Sequence, residues 1–180
     1  MTMELTADAV NEMVEAQFAG TPNRCAEIGA GYAIARYDVD QTALRPGGFI
    51  SGPAQFGLAD AALWYLVFTA IGRIEPMALT SELSIRYLRP AQGSVLWAKA
   101  TLESAGRRSV VGTVHVWCDD RVDRPTATAQ GTYALPSLRS PATQAVIAFA
   151  TQAVAGRSSA GASSLASVTR WTSDRHRMDS

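Results

Sequence analysis

Lysine is nearly missing from this 180-residue chain: Lys99 stands alone, and every other basic side chain apart from the histidines is arginine. A charge excess is missing too, with 16 Lys and Arg against 16 Asp and Glu. Without a basic surplus the chain has no general attraction for nucleic acid or an anionic membrane surface. Cysteine is scarce, and Cys25 and Cys118 form no CxxC pair. That argues against a disulfide framework and a zinc site, and a reducing, cytoplasmic setting is expected. Histidine is limited to His115 and His176. The odd offset from His115 to Cys118 puts the two on opposite faces of a strand, so no metal site is expected, nor any cofactor. The opening stretch MTMELTADAVNEMV has neither the basic nor the apolar segment of a signal peptide. The uncharged run after Asp60 ends at Gly72, short of the ~20 residues of a membrane span.

What the chain does have is one very apolar stretch, GPAQFGLADAALWYLVFTAIG, with Asp60 inside it. Ser51 is placed to cap a helix, Pro53 to begin it and Gly72 to end it. A helix apolar on nearly all sides has to be enclosed. Trp64, Tyr65 and Phe68 are expected in the core or in dimer packing, with a lining role in an acyl pocket open to some of them. An acid buried in such a helix is costly. Either it meets a polar partner and does nothing more, or it serves as a general base or nucleophile in a dry pocket. The helix N-terminus adds unpaired N–H groups and the positive end of the dipole, and the Gly52 N–H is placed to bind the oxygen of a polarised carbonyl.

Before this helix, Thr6–Phe18 has helical spacing, with Ala9, Val10, Met13, Val14 and Phe18 on one face. A strand-like segment from Arg24 to Val39 follows, then the Gly- and Pro-rich loop DQTALRPGGFISGP. After the helix come ALTSELSIRYL, VLWAKATLESA, SVVGTVHVWCD and TATAQGTYAL, four strand-like runs separated by turn signals. They read as an antiparallel meander. In the first run Leu79, Leu83, Ile85 and Tyr87 fall opposite Thr80, Glu82, Ser84 and Arg86. The fold class is α+β, an antiparallel sheet wrapped around one long central helix. The domain is expected to cover residues 1–136, and residues 137–180 to form a tail with a short helix at 142–155 and disorder beyond it. A sheet edge and part of the helix left open point to a homodimer or homotetramer.

This arrangement resembles the hotdog fold. The segments RPGGFISGPAQFGLADAA, LTSELSIRYLRPAQG, ESAGRRSVVGTVHVW and TATAQGTYAL together resemble the phenylacetate-pathway (PaaI-like) acyl-CoA thioesterases over about residues 24–136. The resemblance implies an acyl-CoA substrate with an aryl or short- to medium-chain acyl group. It implies Asp60 as base or nucleophile, Gly52 as oxyanion donor and Thr80 as the hydroxyl that places water. Arg45, Phe49, Arg86, Arg89, Arg107 and Arg108 are its implied substrate-binding residues. The chain departs from the family pattern in three places: Ser51 stands for the family His, as a candidate catalytic residue that can hydrogen-bond a carbonyl or water or merely cap the helix, Pro53 for the second Gly and Arg45 for the Asn. The departures form a Ser-Gly-Pro branch and open a second reading, a hotdog protein that binds acyl-CoA or another apolar ligand without hydrolysing it. A hydratase on this fold would need a His beside the acid, and none is present there.

Overall fold

The structure is a computed structural model and describes residues 5–136. The helix and disorder expected within 137–180 lie outside the described residues. Helix α1 spans Ala7–Gln17, capped by Thr6, whose Oγ1 accepts from the Ala9 N–H. Strands β1 (Arg24–Gly29) and β2 (Tyr32–Asp38) form a hairpin, so the strand-like segment is two strands, and its Gly-Ala-Gly is the turn between them. Gly31 takes a positive φ of 76° there, a conformation glycine adopts without a Cβ penalty. The loop that follows holds a short 3-10 turn at Gln41–Ala43 and a small hairpin of β3 (Leu44–Arg45) and β4 (Phe49–Ile50).

Helix α2 runs from Gly52 to Ile71. Ser51 is its N-cap, and Gly72, in the left-handed region, is its C-cap. By length and composition it is the one described helix able to cross a membrane. Here it lies against the sheet. Leu58, Leu66, Val67 and Phe68 are fully buried, each contributing about 1.5–3 kcal/mol on burial. One face stays open: Phe56 is exposed, and Gly57, Asp60, Ala61 and Trp64 are half-buried. Enclosure of the helix is therefore incomplete within the described residues. Tyr65 and Phe68 are core, whereas Trp64 is not fully so.

Strands β5 (Leu79–Tyr87), β6 (Val95–Ala105), β7 (Ser109–Cys118) and β8 (Ala127–Ala134) complete a six-stranded antiparallel sheet of order β1-β2-β6-β7-β8-β5. Only β6-β7-β8 is a meander. β5 does not pair with β6, its successor in sequence, but crosses to the far edge and pairs with β8. Its neighbour was misjudged because alternation shows which face a strand buries, not which strand it joins. A register shift between Thr80 and Glu82 also breaks the expected alternation, and it brings Thr80 to the helix side with Leu83 and Ile85.

Two long connections are tied at the end of the sheet near the start of α2. Asp119 has a positive φ of 53°, and its Oδ1 accepts from the Ser94 and Val95 N–H groups. These hydrogen bonds hold its carboxyl below the usual value, the Val95 N–H contributing most. A depressed carboxyl stabilises the fold above its unfolded-state pKa, and that contribution is lost as pH falls through the lower folded value. Asp119→Asn, which tolerates the same backbone, is expected to unfold at lower urea than the parent at pH 7. The gap should close as pH falls below about 4. Equal midpoints at pH 7 would remove this role.

Candidate active site

Asp60 lies in the third turn of α2, and the structure corrects its expected surroundings. It is half-buried rather than enclosed, and it has partners. Thr80 on β5 donates to Asp60 Oδ1 at 2.9 Å, and the Tyr133 hydroxyl on β8 lies 2.8 Å from the same oxygen. The Tyr133 hydroxyl is also 3.1 Å from the Asp60 main-chain carbonyl. Thr80 and Tyr133 are cross-strand partners, so the register shift in β5 and the pairing with β8 together focus two donors on one oxygen. Among the described residues no donor reaches Oδ2. Burial, followed by the nearby Asp60 charge, pushes the Tyr133 phenol up, so it stays a donor across the working pH range.

Asp60 borders a cavity of about 270 Å³ walled by Val14, Phe18, Ala61, Trp64, Tyr65 and Leu79, among others. Phe18 meets Trp64 edge to face, with ring centroids 5.3 Å apart. Helix α1 supplies one wall because Asn11 is bonded to β1: its side-chain amide gives to the Cys25 carbonyl and takes from the Cys25 N–H, each at 2.8 Å. The site is thus an acid with one committed and one free oxygen, beside an apolar hollow. No cation lines this cavity among the described residues.

Gly52, the first residue of α2, borders a separate cleft of about 370 Å³ with Phe49, Gln55, Tyr87 and Arg89. Its N–H is one of the helix donors without an intrahelical acceptor. Tyr87 donates to the Gly52 carbonyl at 2.9 Å, and a Cβ on residue 52 would come within 3.1 Å of the Tyr87 oxygen. Ser51 Oγ accepts from the Ala54 N–H at 3.3 Å and is engaged as a helix cap. Eight residues of α-helix separate Gly52 from Asp60, about 12 Å along the axis, too far for both to act on one carbonyl of one chain.

The other sequence candidates scatter. Phe49 and Arg89 share the cleft with Gly52, and an Arg89 guanidinium nitrogen donates to the Pro125 carbonyl at 2.7 Å. Arg45 lies exposed on β3. Arg86 lies with His115 in a groove on the outer sheet face, away from Asp60. Arg107 and Arg108 occupy the exposed β6–β7 turn. Cys25 and Cys118 are free and buried, and burial pushes the Cys25 thiol up to about 12, which leaves it unreactive. Among the described residues no cluster of His, Cys, Asp or Glu is arranged to hold a metal.

Two residues escaped the sequence reading. Tyr133 was hidden in an ordinary alternating strand; its only signal was a phenol on the buried face, where a hydroxyl needs a partner. Gln55 stood four residues into the helix among apolar neighbours, an amide as much in need of explanation as Asp60. Tyr133→Phe removes one donor while keeping the ring. It is expected to lower kcat of the reaction proposed below about fivefold to tenfold, the equivalent of one hydrogen bond, with KM little changed. A KM effect with intact kcat would assign Tyr133 to binding instead.

Residues 47–124 match the family model described as Thioesterase superfamily. A comparison with curated proteins finds no match. Among solved structures, a candidate thioesterase of Silicibacter sp. TM1040 is 29% identical, with a TM-score of 0.65 over 73% of this chain and 92% of the other. A Haemophilus influenzae thioesterase is 16% identical (TM-score 0.64, covering 76% and 94%). The PaaI protein of the E. coli phenylacetic acid degradation operon is 19% identical (TM-score 0.60, covering 73% and 91%). The sheet order and the single central helix are those of the hotdog fold, and over residues 47–124 the chain is similar to the Thioesterase superfamily.

Proposed function

We propose that the protein hydrolyses the thioester of an aryl or short- to medium-chain acyl-CoA, with Asp60 as general base or nucleophile. The observation that carries this reading is the Asp60 carboxylate, its Oδ1 held by Thr80 and Tyr133 and its Oδ2 without a donor among the described residues, beside an apolar cavity. In the general-base route Asp60 takes a proton from water, the water oxygen bonds to the thioester carbon, and the C–S bond then breaks to leave a carboxylic acid and a thiolate, which takes up the proton that Asp60 gives back and becomes the thiol. Direct attack by Asp60 would give a mixed anhydride first. The Gly52 N–H and the dipole of α2 stabilise the oxyanion.

The ~12 Å between Gly52 and Asp60 favours a homo-oligomer, a dimer or tetramer, in which one copy's loop faces the other's acid across the open face of α2. Arg89 and Phe49 sit at the Gly52 cleft, where they would meet the substrate; the outer-face position of Arg86 does not favour that role. Two free buried cysteines fit a reducing, cytoplasmic setting. The test is free-thiol release across a panel of acyl-CoA thioesters. Ser51, engaged as a helix cap, favours the second reading, binding without hydrolysis. Tight acyl-CoA binding by calorimetry with the thioester intact would establish it in place of the first.

A further inference from the structure

Apart from aromatic and cysteine side chains, Gln55 and Thr126 are the buried polar residues among the described ones, at 4% and 5% exposure. Burying such groups costs free energy unless their hydrogen bonds are made. Thr126 Oγ1 donates to Gln55 Oε1 at 2.9 Å and lies 3.3 Å from the Val116 carbonyl. Thr126 is also a junction of the main chain: its N–H gives to Val116, and its carbonyl takes from the Leu88 and Arg89 N–H groups. It is therefore a fixed post, and it orients the Gln55 amide. The reverse orientation would bring Gln55 Oε1 against the Ile50 carbonyl, acceptor to acceptor. As placed, Gln55 Nε2 points its amide at Ile50 O across a long 3.5 Å. One such contact leaves a two-proton amide nitrogen under-used.

That nitrogen belongs to a residue lining the same cleft as Gly52. The Gly52 N–H meets no acceptor among the described residues, and Pro53, next along the chain, has no N–H to offer. A carbonyl oxygen acquiring charge in the cleft would have one backbone donor and, beside it, the under-used amide. We infer that the Gln55 side-chain amide, held by Thr126, is a second donor to the substrate carbonyl, acting with the Gly52 N–H. The inference rests on the thioesterase reading for the identity of the ligand. It makes Gln55 a catalytic residue and Thr126 its positioning residue.

The test measures binding first, with turnover beside it. Two probes are compared by calorimetry. One is the dethia ketone analogue of benzoyl-CoA, with a methylene in place of sulfur and the carbonyl kept; the other is S-benzyl-CoA, which has no carbonyl. Gln55→Met preserves length and leaves Thr126 free to donate to Val116. The variant is expected to weaken ketone binding at least tenfold, to leave S-benzyl-CoA binding unchanged, and to lower kcat about 100-fold or more. Thr126→Val, which frees the amide to swing, is expected to give the same pattern more weakly, and it carries the test if Gln55→Met does not fold. Equal losses for both probes, or none for either, would overturn the role of Gln55 while leaving the thioesterase reading intact. Failure of the parent protein to bind either probe would overturn both.

Discussion

Asp60→Asn is expected to abolish nearly all thiol release, by roughly 100- to 10,000-fold, while the circular dichroism spectrum and melting temperature stay close to those of the parent. The substitution suits the question because the amide can keep its oxygen where Oδ1 sits, accepting from Thr80 and Tyr133. What it removes is the second carboxylate oxygen, which has no donor among the described residues. A collapse in turnover without a change in fold would then belong to the chemistry of Oδ2. The same panel run on Asp60→Asn should also show acyl-CoA binding largely preserved, since the apolar walls are untouched. Unchanged hydrolysis would sink the proposed mechanism. Loss of both folding and activity would return Asp60 to the simpler reading of an acid that only joins α2 to β5 and β8.

The second large effect is on stability. Gly112 on β7 and Gly131 on β8 are direct cross-strand partners, and together they open a gap on the inner face of the sheet. Helix α2 fills it. A Cβ on residue 112 would lie 2.5 Å from Leu66 Cδ2, 2.9 Å from Leu63 Cδ2 and 3.0 Å from the Thr101 carbonyl oxygen. On residue 131 it would lie 2.8 Å from the Glu82 carbonyl oxygen and 2.9 Å from Leu63 Cδ1. Gly112→Val therefore forces side chains off their rotamers and pushes at backbone. It is expected to cost about 1–3 kcal/mol or more, read as a fall in the urea midpoint with an unchanged slope. Adding Leu66→Ala should recover part of that loss, because the pair shares one contact, but not all of it, because Thr101 contributes main chain. Full additivity of the two costs would show that the glycine pair is not there to admit the helix.

Much of α2 was legible in advance because its signals are local. Ser51, Pro53 and Gly72 each act within a turn of their own position, and their caps appear as read. Asp60 was legible as an anomaly, though its burial was overstated: a linear pattern does not reveal that one face of the helix is left uncovered. Thr80 entered only by resemblance, since plain alternation sends it away from the helix and only the register shift in β5 turns it back. Tyr133 and the pair Gln55–Thr126 depend on contacts across 73 and 71 residues, which no periodicity encodes. The arginines were not separable in the sequence for a related reason. Spacing places them on strands and turns but does not say that Arg86 and Arg89 end on different surfaces.

The crossing of β5 to the far edge bears on how the chain is made. α2 ends at Ile71, yet the sheet against which it packs closes only with β8, at Ala134, and β5 has no neighbour until then. At the usual pace of translation, the intervening 63 residues (134 − 71) take roughly 3–13 s to emerge. Early in that interval the nascent protein presents a 20-residue apolar helix covered only in part, by the β1–β2 hairpin made before it. The local β6-β7-β8 meander is the part able to form quickly, and the helix and β5 must wait to dock on it. Synthesis thus passes through a stage at which a chaperone's grip would matter more than any later feature of the finished fold.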